Sequence, residues 1–253
     1  MSTLYLVIFF SLIGGVFSLA GGVILMSSKK RAKSLAKYAT PFAAGALLAA
    51  AFGDLLVEAA DSGEVERALL GALLGILGFF ILERFLHFFH HHHEHVSGSK
   101  SDSNVSLIII GDTAHNFIDG IAIAAAFIVS VPTGVVATLA VAAHEIPQEI
   151  GDFGLLLNKG MSRKNVIVAN VLSALATTFS AILFFSIGDK ISLPIDIILG
   201  IVAGFFIYIA VSDIIPSIHK NEEQRIAGPQ TIMLLVGVIV VSLVTSQLHQ
   251  YIG

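Results

Sequence analysis

Apolar residues in this chain fall into long runs, not into the strict alternation of half-buried strands. The runs cover residues 4–26, 35–60, 68–89, 105–131, 134–157, 165–187, 195–217 and 230–251, with short polar breaks between most of them. Each is close to the ~20 residues a helix needs to cross a ~30 Å hydrocarbon layer. The pattern predicts an all-α fold, a polytopic bundle of eight transmembrane helices forming a single domain over residues 1–253. The first run has no basic residue ahead of it and is longer than a signal-peptide core, so it is expected to remain as a span.

Charge then orients the bundle. Lys29, Lys30, Arg31, Lys33, Lys37, Arg84, Lys100, Lys159, Arg163, Lys164, Lys220 and Arg225 fall on one side of the eight-helix arrangement, leaving only Arg67 and Lys190 on the other. By the positive-inside rule the first group faces the cytoplasm, and both termini are expected on the extracytoplasmic side. Composition agrees with a multi-pass protein: 55% of the residues are hydrophobic and 13% charged, more apolar sequence than a water-soluble domain can hide. There is no Cys, so any bound metal must use imidazole, carboxylate, amide or water. Nothing points to nucleic acid, because the basic residues lie at the loops. The one long connection, residues 87–103, holds a low-complexity tract in which His90, His91, His92, His93 and His95 precede a Ser-rich stretch. It is expected outside the packed bundle on the cytoplasmic side, as a weak metal-binding loop.

The fourth and fifth runs carry polar residues where lipid should be. An ionisable group at mid-membrane costs roughly 2.5–3.5 kcal/mol on insertion scales, so several in one helix require a partner or a function. In the fourth run Asp112, His115 and Asp119 are spaced by three and four and share one helix face, with Asn116 beside them. In the fifth, His144, Gln148 and Asp152 stack at four-residue intervals, and Glu145 and Glu149 form the neighbouring stripe. Two such helices face to face would gather a ligand set suited to Zn²⁺, Fe²⁺ or Mn²⁺. Pro147 breaks the bond to the carbonyl of Ala143, and a freed carbonyl at that depth is tolerated where it is buried or lines a cavity. The alternative is a buried hydrogen-bond network that glues the two helices together; a metal or proton pathway better accommodates so many polar groups.

The segments His115-Asn-Phe-Ile-Asp119-Gly and His144-Glu-Ile-Pro-Gln148-Glu-Ile-Gly-Asp152 resemble the two signature helices of the ZIP (Zrt/Irt-like) divalent metal transporters, closest to their His-rich branch. The resemblance implies a 3+2+3 helix arrangement with an inverted repeat, alternating access and a homodimer. It implies a primary site of His115, Asp119, His144 and Gln148, and a second position around Asn116, Asp119, Glu145 and Asn170. Asp54-Leu-Leu-Val-Glu58 and Asp213-Ile-Ile-Pro216 are similar to two further family segments, which makes Asp54, Glu58 and Asp213 pathway residues together with Asp112, Glu149 and Asp152. This chain departs from the family at Gln148, where His or Glu is usual, and at Val57, where Pro is usual.

Together these readings describe a non-enzymatic transporter moving a divalent transition metal, zinc first and Fe²⁺, Mn²⁺ or Cd²⁺ as further candidates, into the cytoplasm between the fourth and fifth helices. Because ligation needs neutral His and ionised carboxylates, lower pH is expected to weaken binding. Two alternatives stand: a membrane-embedded zinc metallohydrolase, since His144-Glu145 opens like a zincin motif that Gln148 and Pro147 then break, and a metal exporter.

Overall fold

A computed structural model describes residues 3–92, 102–188, 193–219 and 224–251. Among them there is no strand, and the chain forms eight long helices: α1 (Thr3–Ser27), α2 (Lys29–Asp61), α3 (Val65–His92), α4 (Asp102–Val129), α5 (Val131–Asn158), α6 (Arg163–Gly188), α7 (Ile195–His219) and α8 (Gln224–Tyr251). Seven are long and apolar enough to cross a membrane. The exception is α5, whose second half holds the polar cluster. Leu69, Leu73, Phe80, Leu172, Phe179, Ile239 and Leu243 turn large apolar side chains outward, a surface that water disfavours and lipid covers. The protein is an integral, multi-pass membrane protein.

Boundaries move from the expected ones in two informative ways. The third and fourth helices run further than their apolar runs: α3 continues to His92 and α4 begins at Asp102, so the long connection is shorter than residues 87–103. Helical hydrogen bonding between backbone groups does not stop where hydrophobicity does. Three spans also carry internal irregularities that hydropathy does not register. α1 breaks at Phe17–Ser18, where the Ser18 hydroxyl donates to the Gly15 carbonyl. α2 and α7 each contain a π-helical turn, Ala51–Leu55 and Ile209–Ile214.

These two π turns belong to an inverted arrangement. α2 packs along α8, and α7 packs along α3. Both seams are built on glycine. A Cβ on Gly45 or Gly237 would strike the backbone across the α2–α8 seam; one on Gly71, Gly75, Gly200 or Gly204 would do so across α3–α7. Small residues let helices approach until dispersion and backbone contacts hold them where no hydrophobic force does. Each π turn carries an Asp at the same remove from its contact glycine, Gly45 to the buried Asp54 and Gly204 to the exposed Asp213. Between the two pairs lie α4 and α5, with α1 and α6 outside them, the order of a 3+2+3 bundle. Close approach gives a direct test. Gly75→Val is expected to cost at least ~1–3 kcal/mol by overpacking, whereas Gly78→Val, one turn away with open space around its Cβ position, leaves stability nearly unchanged. Thermal melts of the two variants, followed by circular dichroism, should separate clearly; coincident melts would refute the packing argument.

Candidate metal centre

The helix face expected on α4 meets α5 at mid-bundle. Nε2 of His115 lies 3.1 Å from Nε2 of His144, 3.8 Å from Oδ2 of Asp119 and 3.7 Å from Oε1 of Glu145. Nε2 of His144 lies 3.2 Å from the same Asp119 oxygen and 3.6 Å from Oε1 of Glu145. One donor atom from each of the four residues falls within 4.8 Å of all the others. A tetrahedral ion with ligands at ~2.0–2.2 Å requires donors ~3.3–3.6 Å apart, so the cluster already has nearly the spacing of a coordination shell. Two imidazoles and two carboxylates suit zinc and its neighbours and would neutralise a divalent ion.

The backbone prepares this set. Nδ1 of His144 is 3.1 Å from the carbonyl oxygen of Ala140, one turn back on α5. A carbonyl can only accept, so Nδ1 carries the proton and Nε2 offers its lone pair to the cluster, the second-shell device that fixes a ligand tautomer. His115 is braced from α3, where the edge of Phe79 meets its ring at a centroid distance of 5.7 Å and an angle of 85°. Both oxygens of Glu145 are buried without a hydrogen-bond partner among the described residues. Buried carboxylate oxygens left bare are costly, and an ion between the imidazoles would satisfy them.

The remaining expected residues divide by what holds them. Asn116 is tied into α4 and α6: its amide nitrogen donates to Asp112 Oδ1 (3.1 Å) and Ser173 Oγ (3.4 Å), and its oxygen accepts from Thr177 Oγ1 at 2.8 Å. Asn170, on α6, donates to the Val166 carbonyl, and its own oxygen is buried with no partner among the described residues. Gln148 stands beside the Asp112 carboxylate. With Asp112, Asp152, Glu83 and Asp213 it lines a cavity of about 340 Å³ that reaches His115. A second cavity, of about 270 Å³, touches His144, Gln148 and Asp213 from the α2 and α7 side. Both lie between the four-donor cluster and the end of the bundle where α3 and α7 finish and α2 starts with its basic turn. Glu149 is fully buried near Asp112 and Asp152, with neither oxygen partnered among the described residues. At the other end, Asp54 and Glu58 meet His249 of α8, a residue that the run 230–251 does not mark out. His93 and His95 lie outside the described residues; for His90, His91 and His92 only the helical backbone is described.

Comparison with known proteins agrees with the geometry. The family described as ZIP Zinc transporter matches residues 93–245. The chain is 39% identical over 120 residues to zinc transporter ZIP10 of Danio rerio, covering 47% of this chain and 14% of that one. It is 40% identical over 122 residues to zinc transporter ZIP4 of Mus musculus, covering 47% and 18%. To the metal cation symporter ZIP8 of Rattus norvegicus it is 34% identical over 125 residues, 49% of this chain and 27% of that one. The matched region is thus a minor part of these relatives' length.

Proposed function

This chain belongs to the ZIP family of zinc transporters, and we propose on that premise that it carries divalent transition-metal ions, zinc foremost, across a membrane through the site between α4 and α5. The observation that carries the proposal is the convergence of His115, Asp119, His144 and Glu145 within 4.8 Å at the centre of the bundle. In this reading the ion sheds its water into the four donors and leaves through the cavity lined by Asp112, Gln148, Asp152 and Asp213, whose carboxylates lower the barrier for a cation moving out of a dry site. That cavity leads toward the basic end, which the positive-inside rule assigns to the cytoplasm, so the direction is uptake. Alternating access would close this cavity and open the Asp54 end; a homodimer is the assembly we infer from the family.

The zincin-like alternative lacks support in the site: His144 pairs with His115 of another helix, not with a second His on its own. Purified protein reconstituted in vesicles is expected to take up Zn²⁺, with Fe²⁺, Mn²⁺ and Cd²⁺ competing in the order of their affinity for N and O donors. Absence of uptake under a zinc gradient would sink the proposal.

The His-rich connection has a lesser part. A tract that binds metal weakly can raise the local metal concentration but forms no path through the bundle. Deleting residues 90–95 is therefore expected to change the apparent KM of uptake severalfold at most. Complete loss of uptake at normal membrane abundance would mean that the path has been assigned to the wrong residues.

A further inference from the structure

Far from the basic end, where α2 and α8 finish side by side, three ionisable side chains meet: His249, Asp54 and Glu58. Nε2 of His249 is 2.8 Å from Oδ1 of Asp54, and its Nδ1 is 3.6 Å from Oε1 of Glu58. The Asp54 side chain is completely buried, and its second oxygen has no partner among the described residues. One turn before His249 on the same helix face, the Thr245 hydroxyl is likewise buried and unpartnered. His249 and Glu58 are partly exposed, with side-chain accessibilities of 31% and 24%. The cluster therefore runs inward from the rim of the bundle to a dry carboxylate.

We propose that His249 and Asp54 form a second divalent-metal site, which passes the ion between the extracytoplasmic surface and the central cluster, with Glu58 orienting the imidazole. The proposal rests on the reading of the chain as a metal carrier but uses none of the central ligands. Its chemistry follows from the two nitrogens of one ring. With the ring proton on Nδ1, directed at Glu58, the lone pair of Nε2 points at Asp54, the carboxylate–histidine–metal arrangement that fixes ligand tautomers elsewhere. The present 2.8 Å gap is a hydrogen-bond distance, and widening it to the ~3.3 Å edge of a coordination polyhedron takes about half an ångström. The bare Asp54 oxygen is available to the ion, and the Thr245 hydroxyl, one turn before His249, can add a ligand directly or through water. One imidazole and one carboxylate make a weaker set than the central four donors. A transit site must bind loosely enough to release.

The π-helical turn Ala51–Leu55 contributes by position. It is the irregularity of α2 that holds Asp54, and such turns occur frequently at functional sites. Helices α2 and α8 run in parallel, their glycine seam fixing the register that brings position 54 to position 249.

The test reads binding, not transport. The full chain carrying His115→Ala and His144→Ala, with His90, His91, His92, His93 and His95 replaced by Ser, is titrated with Zn²⁺ by calorimetry. One Zn²⁺ per chain is expected to remain, at least tenfold weaker than the tight ion of the unmodified protein. Adding His249→Ala or Asp54→Asn should weaken that residual ion at least tenfold further. Glu58→Gln should weaken it by about 10–100-fold, the usual cost of losing an outer-shell partner. A background that binds no Zn²⁺, or one whose residual binding ignores both His249→Ala and Asp54→Asn, overturns the proposal. Should those variants fail to fold, zinc-edge anomalous scattering from crystals of the unmodified protein decides: a peak between His249 and Asp54 supports the site, and its absence at saturating zinc overturns it. Zinc bound at His249 in a protein that shows no vesicle uptake would count against the transport reading alone.

Discussion

Asp119→Ala is expected to abolish zinc uptake in reconstituted vesicles while the protein still inserts and folds. Like Oε1 of Glu145, Oδ2 of Asp119 lies within 3.8 Å of both imidazole nitrogens of the cluster. Removing it takes away a ligand and half of the negative charge that offsets a divalent ion in a site screened from water, where charge interactions count for more than at a surface. The loss should exceed tenfold, the lower end of what even an outer-shell partner is worth. No backbone hydrogen bond depends on this side chain, and Ala is the best helix former, so α4 persists. His115→Ala is expected to act alike. Wild-type rates in both variants, at matched membrane abundance, would remove the central cluster from the transport path.

Gln148→Glu should change stoichiometry. In the unmodified protein we expect one tightly held ion and a second that is weak or missing, because two charges of Asp119 and Glu145 balance a single divalent cation. A neighbouring cation ~4 Å away meets a repulsion of roughly 4 kcal/mol for each pair of unit charges at an effective dielectric of 20. Gln148 can lend an oxygen but no charge. Its neighbour Asp112 is already occupied as an acceptor from Asn116. A carboxylate at 148 would add charge at the wall of the cavity next to Asp112 and Asp152. Metal counting on the purified variant should then give two zinc ions per chain in place of one, with apparent affinity raised by about tenfold or more and slower release. Two fully occupied zinc peaks in anomalous diffraction from the unmodified protein would refute the single-ion expectation.

Several features were written in the linear pattern. Eight helical spans follow from runs of apolar residues because a membrane leaves the backbone few other ways to satisfy its own hydrogen bonds. The shared face of His115 and Asp119 follows from helical periodicity, and so does the convergence of the α4 and α5 polar stripes once the two helices are neighbours. Which donors close on one point did not follow. Position 148 stacks a turn beyond His144, and Gln148 lies beside Asp112 on the wall of the cavity that reaches His115, while Glu145 gathers with His115, Asp119 and His144. Periodicity gives the angle of a Cβ about its own axis; the reach and tilt of a side chain depend on how two helices cross.

Tertiary structure alone decided the rest. Asn116 sits beside the α4 polar face in sequence, and only the packing of α6 brings Ser173 and Thr177 to its amide. Nothing in the run 230–251 marks out His249, and only the parallel α2–α8 seam brings it to Asp54 across 195 positions of chain. Local sequence determines which residues form helices and which faces are polar, because those depend on neighbours within a few turns. Partners from remote helices are set by glycine contacts and helix register, which no single run contains. The sequence by itself therefore determined the spans, their polar faces and the candidate chemistry, and the packing of remote helices decided which side chains meet, as His249 meets Asp54.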